Sequence, residues 1–444
     1  MYFNAEIETM PRDELRKLQL ERLKQTLGYA YTKVAFHQHQ FQQANVTPDS
    51  LHTLEDLNKF PFITKPQLRE NYPFGLFAVK PNDKDKIVRL HASSGTKGKP
   101  TVVGYTAHDI EVWAESCARA IACAGGKPGD VLHVAYGYGL FTGGLGLHYG
   151  GEKLGACVIP ASGGNTPRQI LLMQDFQAQG LCCTPSYALN LAEYLKEHNI
   201  PLESLNLKYG ILGAEPWTEE IRVKVEEGLG LIALDIYGLS EITGPGVSME
   251  CPYKQGLHIW EDYYLPEIIN PATLEPLPDG EIGELVFTTL AKEAIPMIRY
   301  RTGDLCNLTY EKCDCGRTHA RMGKIKGRID DMLIVRGINV FPSEIERVLL
   351  EFEELAPHYQ IVLERPEVLD VVTVHCESTT AFTVSVFGDA EHDEEHHLLS
   401  SLRQHIMLKL REGLGVSLQV KINPPHTIPR SEGKAVRVVD NRPK

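Results

Sequence analysis

The chain has 444 residues, is 43% hydrophobic and 23% charged, and carries a formal net charge of -13 at pH 7. That length exceeds one ordinary core and predicts two or three domains, and the composition is that of a chain that folds. Net acidity argues against nucleic acid or an anionic membrane as a partner. No apolar run approaches the roughly 18 residues of a membrane span, and 10 cysteines are too sparse for a disulfide framework.

Met1 to Glu6 lack a basic segment leading into an apolar run, so no secretory signal is expected and the cytoplasm is the expected address. From Pro11 to Gln43, Leu15, Leu18, Leu23, Leu27, Ala30 and Val34 recur at helical spacing and predict amphipathic helices; Pro61, Pro66 and Pro73 punctuate the next stretch. Ile87 to His91 and Thr101 to Tyr105 read as strands joined by Ser93-Ser94-Gly95-Thr96-Lys97-Gly98-Lys99-Pro100. In that loop Gly95 and Gly98 let main-chain N–H groups turn inward, Ser93, Ser94 and Thr96 add donors, and Lys97 and Lys99 add charge, which together describe a cradle for a polyphosphate. It is not a Walker A loop, since serine stands at 93 where that motif needs glycine, and Pro100 stands where a helix should begin. Read alone, the same composition also suits an ordinary turn.

Thr106 can cap a helix through Ile110, Trp113, Cys117 and Ile121 that Gly125-Gly126 ends, and Val131 to Ala135 is a strand. Tyr136 to Gly144 mixes aromatics with glycines, as a loop or as a flat apolar pocket for an aryl group. Helices near 167–179, 187–198 and 218–227 then alternate with strands at 181–183, 207–212 and 232–237. This predicts a layered α/β domain with a largely parallel sheet. Ligands gather at the C-terminal strand ends of such sheets, here Thr184-Pro185-Ser186, Gly213-Ala214-Glu215-Pro216 and Gly238-Leu239-Ser240-Glu241. Residues 246–328 read as a β-rich subdomain, and from 327 to 444 a compact α+β unit is expected, which divides the chain into domains 1–326 and 327–444.

Cys117, Cys123, Cys157, Cys182, Cys183 and Cys376 sit in apolar segments and are expected in the core. Cys251, His258, Cys313 and Cys315 sit among turn residues and offer three thiolates and an imidazole, a closed tetrahedral set for structural zinc. His319 is an alternative ligand, and independent buried thiols are the alternative to a metal.

The stretches 93–100, Tyr237-Gly238-Leu239-Ser240-Glu241, Tyr300-Arg301-Thr302-Gly303-Asp304, Gly327-Arg328-Ile329-Asp330-Asp331 and Pro429-Arg430-Ser431-Glu432-Gly433-Lys434 stand in register along nearly the whole chain. In this order they resemble the adenylate-forming, acyl-CoA synthetase superfamily, and within it the enzymes that join phenylacetate to coenzyme A. The resemblance implies a large N-terminal domain with a small mobile C-terminal domain that turns about Asp330. It also implies ATP, Mg²⁺ and coenzyme A as cofactors, an aryl acid as substrate, and a homodimer.

By the same resemblance Ser93, Ser94, Gly95, Thr96, Gly98 and Lys99 hold phosphates, and Glu241 coordinates magnesium. Asp304 accepts the ribose hydroxyls, and Asp235, Ile236, Tyr237 and Gly238 with Gly213, Ala214, Glu215 and Pro216 line the adenine. Arg328 contacts the nucleotide or is a surface ion-pair partner. Tyr136 and Phe141 flank an aryl ring near Pro245, and Lys434 bridges the acid and the α-phosphate. Lys97 departs from the common pattern, where threonine is frequent. Two other readings keep the fold: an adenylating enzyme that loads a separate carrier protein, none being expected in cis because the chain stops at Lys444, and a nucleotide-binding scaffold without turnover.

Overall fold

The computed structural model describes residues 1–80, 86–92, 100–335, 338–365, 371–388, 392–431 and 433–442. They form two compact units. The first is made of Met1–Thr184, Pro201–Ala214 and Gly230–Ile325, the second of Pro185–Ile200, Glu215–Leu229 and Lys326–Lys444.

In the first unit β1 (Arg89–Ala92) and β2 (Val102–Tyr105), which flank the phosphate-loop candidate in sequence, form an antiparallel pair. Residues 93–99 of that candidate lie outside the described residues. The main sheet is built from β3 (Val131–Val134), β4 (Cys157–Ile159), β5 (Gly180–Cys183), β6 (Tyr209–Gly213), β7 (Ile232–Leu239), β8 (Gly244–Glu250) and β9 (Leu257–Ile259). After β10 (Tyr264–Ile269), β11 (Gly283–Thr289) and β12 (Tyr300–Cys306), the short β13 (Leu308–Thr309) and β14 (Arg321–Met322) return to it. Its order is β13-β14-β9-β8-β7-β6-β5-β3-β4. Pairing is parallel from β4 to β7 and antiparallel from β7 onward.

The parallel half follows from sequence. Gly180–Cys183 and Tyr209–Gly213 are buried at every residue, as strands covered on both faces must be, and each parallel step requires a crossover. The expected β-rich subdomain divides. β8, β9, β13 and β14 extend the main sheet, while β10, β11 and β12 pair antiparallel in that order apart from it.

Two expectations are corrected. The glycine-bearing stretch after Tyr136 is only partly a loop, because a helix runs Gly143–Leu154 through Gly-Gly-Leu-Gly-Leu-His-Tyr-Gly-Gly. Glycine disfavours helix by about 1 kcal/mol per residue, but here it permits contact with the helix Ala107–Cys123. A Cβ on Gly150 would fall 2.3 Å from Cys117 Cβ, and one on Gly146 would fall 2.6 Å from the Trp113 ring. Close packing therefore overrides propensity. Cys157, expected in the core, is exposed, since it opens β4 at the edge of the sheet.

The N-terminal helices form as expected, Arg12–Lys33 and Ala35–Gln43. The second buries His37, whose Nε2 lies 3.0 Å from the Pro296 carbonyl. Burial pushes the His37 imidazole down from 6.5 to about 4, the carbonyl opposing it more weakly. A depressed histidine pKa contributes stability that is present above 6.5 and lost as pH falls toward 4. His37→Gln is therefore expected to flatten the fall in stability between pH 6.5 and 4 by up to about 3 kcal/mol, read by urea unfolding at each pH; an unchanged slope would contradict it.

In the second unit β15 (Gly327–Arg328), β16 (Leu333–Val335) and β17 (Ile338–Val340) precede β18 (Leu355–Glu364), β19 (Val371–Ser378), β20 (Gln419–Asn423) and β21 (Val438–Asp440). The last four form a sheet in the order β20-β19-β18-β21. The helices Pro342–Leu349 and His397–Leu414 bury Ile345, Val348, Ile406 and Leu410 in one core with Ile361 and Val374 of the sheet. No helix among the described residues is long and apolar enough to cross a membrane.

Candidate functional site

In the first unit Asp235, Ile236, Tyr237 and Gly238 end β7, and Glu241 lies in the turn to β8. The register shifts between Tyr237 and Gly238, and only glycine fits at 238, where a Cβ would fall 2.0 Å from the Gly244 carbonyl oxygen. Asp304, buried on β12, accepts a 2.6 Å hydrogen bond at Oδ2 from the Tyr237 hydroxyl. Two residues picked from motifs 67 positions apart thus meet.

Glu241 is 6% exposed and has two lysines close by. Lys65 Nζ lies 4.0 Å from its Oε1, and Lys292 Nζ donates to its main-chain carbonyl at 2.9 Å. Burial pushes the Lys292 ammonium down to about 8 against the pull of Asp109 and Glu241, and its Nζ stands 5.6 Å from the Tyr105 ring centroid. Both lysines were missed by motif reasoning. Lys292 was visible as a lone cation in the apolar run from Leu290 to Met297. The Thr142 and Ser240 hydroxyls are 3.1 Å apart, and the Pro245 carbonyl accepts the Trp113 indole N–H at 3.0 Å. Of the aryl-pocket candidates Tyr136 is buried, whereas Phe141 is 52% exposed. Gly213 and Ala214 end the β6 segment of this unit, Ala214 with a φ of 72°.

In the second unit Glu215 accepts from two main-chain groups, Ser186 N–H at 2.7 Å and Ala435 N–H at 2.9 Å. The neighbour of Lys434 is therefore tied to Glu215, while the Lys434 side chain is exposed. Lys434, Glu215, Pro216, Arg328, Glu346 and Tyr359 line one cleft. Arg328 meets Asp330 through two nitrogens at 2.9 and 3.2 Å, so the nucleotide and hinge candidates form an ion pair.

Cys251, His258, Cys313 and Cys315 converge, their ligand atoms all within 4.8 Å of one another. Cys251 and Cys313 Sγ are 3.7 Å apart, and Cys315 Sγ lies 3.3 Å from His258 Nε2. Ligands at Zn–S of about 2.3 Å in a tetrahedron would be about 3.8 Å apart, so the donor set fits a four-coordinate ion. The Cys251 and His258 side chains hold the Cys315 thiol well below its ordinary range, against the effect of burial. His319 is committed elsewhere. Its Nδ1 accepts from Glu261 N–H at 3.0 Å and its Nε2 faces the Ile7 carbonyl at 2.8 Å.

The sequence family described as AMP-binding enzyme matches residues 10–290, and that described as AMP-binding enzyme C-terminal domain matches 337–442. The phenylacetate-coenzyme A ligase of Thermus thermophilus is 54% identical over 447 residues, covering 100% of both chains. That of Escherichia coli K12 is 51% identical, covering 98% of this chain and 97% of its own. The chain belongs to the phenylacetate-CoA ligase family of adenylate-forming enzymes. The sequence resemblance and the expected fold class are thereby borne out. A crystal structure of 2-hydroxyisobutyryl-CoA ligase in the postadenylation state matches with a TM-score of 0.90 at 29% identity, over 99% of this chain and 92% of that one. The same ligase with CoA in its thioesterification state matches with a TM-score of 0.72 over the same shares at 30% identity.

Proposed function

We propose that the chain ligates phenylacetate to coenzyme A in two steps. A carboxylate oxygen attacks the α-phosphorus of ATP and pyrophosphate leaves, giving an acyl-adenylate; the CoA sulfur then attacks the acyl carbon and AMP leaves with its bonding electron pair. ATP-dependent, AMP-forming ligation through an adenylate is the chemistry of the family, and the observation that carries the substrate is the full-length identity to phenylacetate-CoA ligases.

Both reactants of the first step are anions, so the site must offset their repulsion and the charge that develops at phosphorus. In this reading the phosphates lie on Ser93, Ser94, Gly95, Thr96, Gly98 and Lys99. Asp304 accepts the ribose hydroxyls, and Asp235, Ile236, Tyr237 and Gly238 with Gly213–Pro216 flank the adenine. Glu241 would hold Mg²⁺, which when bound neutralises phosphate charge; an oxygen ligand suits that hard cation. Lys434 donates to acid and α-phosphate as a mobile point charge. Tyr136, Phe141 and Pro245 bound the aryl group. Rotation about Asp330 exchanges the first step for the second, which is supported by the two states in which the 2-hydroxyisobutyryl-CoA ligase was solved.

Structural zinc at Cys251, His258, Cys313 and Cys315 belongs to the same reading and is supported by the donor distances. A homodimer rests on the family resemblance, and a cytoplasmic address on sequence features alone.

Labelled pyrophosphate should exchange into ATP only when phenylacetate is present, and free CoA should release AMP. Absence of exchange would favour the scaffold, and exchange without use of CoA would favour the carrier loader. Tyr237→Phe removes the donor to Asp304 and is expected to raise the KM for ATP about 5-fold with little change in kcat, the worth of one hydrogen bond of about 1 kcal/mol. Steady-state kinetics in ATP check this; an unchanged KM would remove Tyr237 from the nucleotide site.

A further inference from the structure

The lysine arm has an unexplained buried charge at its base. Glu377, next to last in β19, is 0% exposed, and each of its oxygens accepts two hydrogen bonds. Oε1 takes His426 N–H at 2.8 Å and Arg430 Nη2 at 2.8 Å; Oε2 takes Ile428 N–H and Arg430 Nη1, both at 2.9 Å. The carboxylate thus gathers three points of the segment between β20 and β21, residues 424–437, in which Lys434 stands. It holds His426 at a φ of 62°, a left-handed conformation that a side chain disfavours.

Such a pair is a poor device for stability, because the desolvation of two charges offsets their attraction; its attested use is to select one geometry among several. The geometry selected here is that of the arm. Arg430 is fixed four residues before Lys434, and Val438, hydrogen-bonded in register with Ile361, is fixed four residues after it. Four residues span at most about 14 Å, so both tethers confine the lysine backbone. The Ser431 hydroxyl adds a local closure by donating to Gly433 O at 2.6 Å. Without Glu377, the stretch from residue 424 to the Ala435–Glu215 hydrogen bond would lose its anchor at residues 426, 428 and 430 other than the Arg430–Glu193 pair, and long stretches of this kind sample many conformations.

We propose that Glu377 and Arg430 are positioning residues for the adenylation half-reaction, acting through Lys434 by holding its arm in a single geometry. The inference rests on the role proposed for Lys434 in adenylation. Burial alone would raise the Glu377 pKa, yet Arg430 and the two amides hold it below the ordinary carboxylate value, as a permanently charged anchor requires.

Glu377→Gln keeps the shape but turns an amide NH₂ toward groups that are themselves donors. Arg430 still has Glu193 Oε2 at 3.4 Å from its Nε, so the variant is expected to fold. Phenylacetate-dependent pyrophosphate exchange should fall about 10-fold in kcat with KM for ATP unchanged, while thioester formation from supplied phenylacetyl-adenylate and CoA stays within about 2-fold. In a Lys434→Ala background Glu377→Gln should cost exchange nothing further. Equal loss in both half-reactions, or an additive loss in the double variant, would assign the pair a structural role only and overturn the inference. If Lys434→Ala itself fails to separate the half-reactions, the role of Lys434 fails instead. Arg430→Lys, which keeps the charge but loses the two-point contact, is judged by the same criteria should Glu377→Gln not fold.

Discussion

Lys434→Ala is expected to reduce phenylacetate-dependent exchange of pyrophosphate into ATP by about 10²- to 10³-fold, the equivalent of about 2.7–4 kcal/mol of transition-state stabilisation from one well-placed donor. Thioester formation from supplied phenylacetyl-adenylate should be retained within a few fold. The asymmetry follows from the chemistry. Only in the first step do a carboxylate and a triphosphate approach each other, and only there does an ammonium offset a repulsion that increases along the reaction coordinate. Removing a charge that binds ground state and transition state alike would raise KM without lowering kcat; this charge is needed as the transition state forms, so the loss should fall on kcat. The structure gives the lysine what this task needs, an exposed side chain on a backbone tied at Ala435 to Glu215 and at Arg430 to Glu377. Lys434→Arg is expected to recover little, because a planar fork does not replace a compact three-donor charge. Equal loss of both half-reactions in Lys434→Ala would contradict the assignment.

What could be read from the sequence was what local pattern determines. The strands at 180–183 and 209–213 are short apolar runs because both faces are covered, and the intervening helices carry charge on one side, so their alternation needs no tertiary knowledge. Cys251, His258, Cys313 and Cys315 were found together because thiols and imidazole among turn residues have few other uses. The helix Gly143–Leu154 was not legible, because its glycines are explained only by Trp113 and Cys117 facing them from another helix. Lys292 and Glu377 were missed for a related reason. Each is a charge set in a largely apolar stretch, and its partners lie far off, Glu241 being 51 positions from Lys292 and Arg430 53 from Glu377. Such a charge signals that a partner exists without saying where it is. Arg328 and Asp330 show the reverse: two positions apart in one motif, they meet each other.

Removing zinc, or its ligand in Cys313→Ser, is expected to destabilise the first unit by about 3–5 kcal/mol or more, since structural zinc contributes folding free energy directly. The readout is a Tm lower by about 10 °C, with about one zinc per chain before dialysis against chelator and none in the variant. The damage should begin at the N-terminus, because the loop bearing the ligands is also what anchors it. Tyr2 donates to the Cys315 carbonyl at 2.6 Å, Arg317 Nε donates to the buried Glu8 at 2.8 Å, and Arg317 Nη2 reaches the Met1 carbonyl at 2.6 Å. Thr318 continues the seam with its hydroxyl on the Met10 carbonyl at 2.6 Å. Limited proteolysis of the stripped protein should therefore cut within residues 1–10 before it cuts the main sheet. His319→Ala, which breaks the seam at Ile7 without touching a ligand, should expose the same sites while leaving the zinc content at one. A folded protein that purifies metal-free with an unchanged Tm would reduce the four residues to buried thiols and an imidazole that happen to meet.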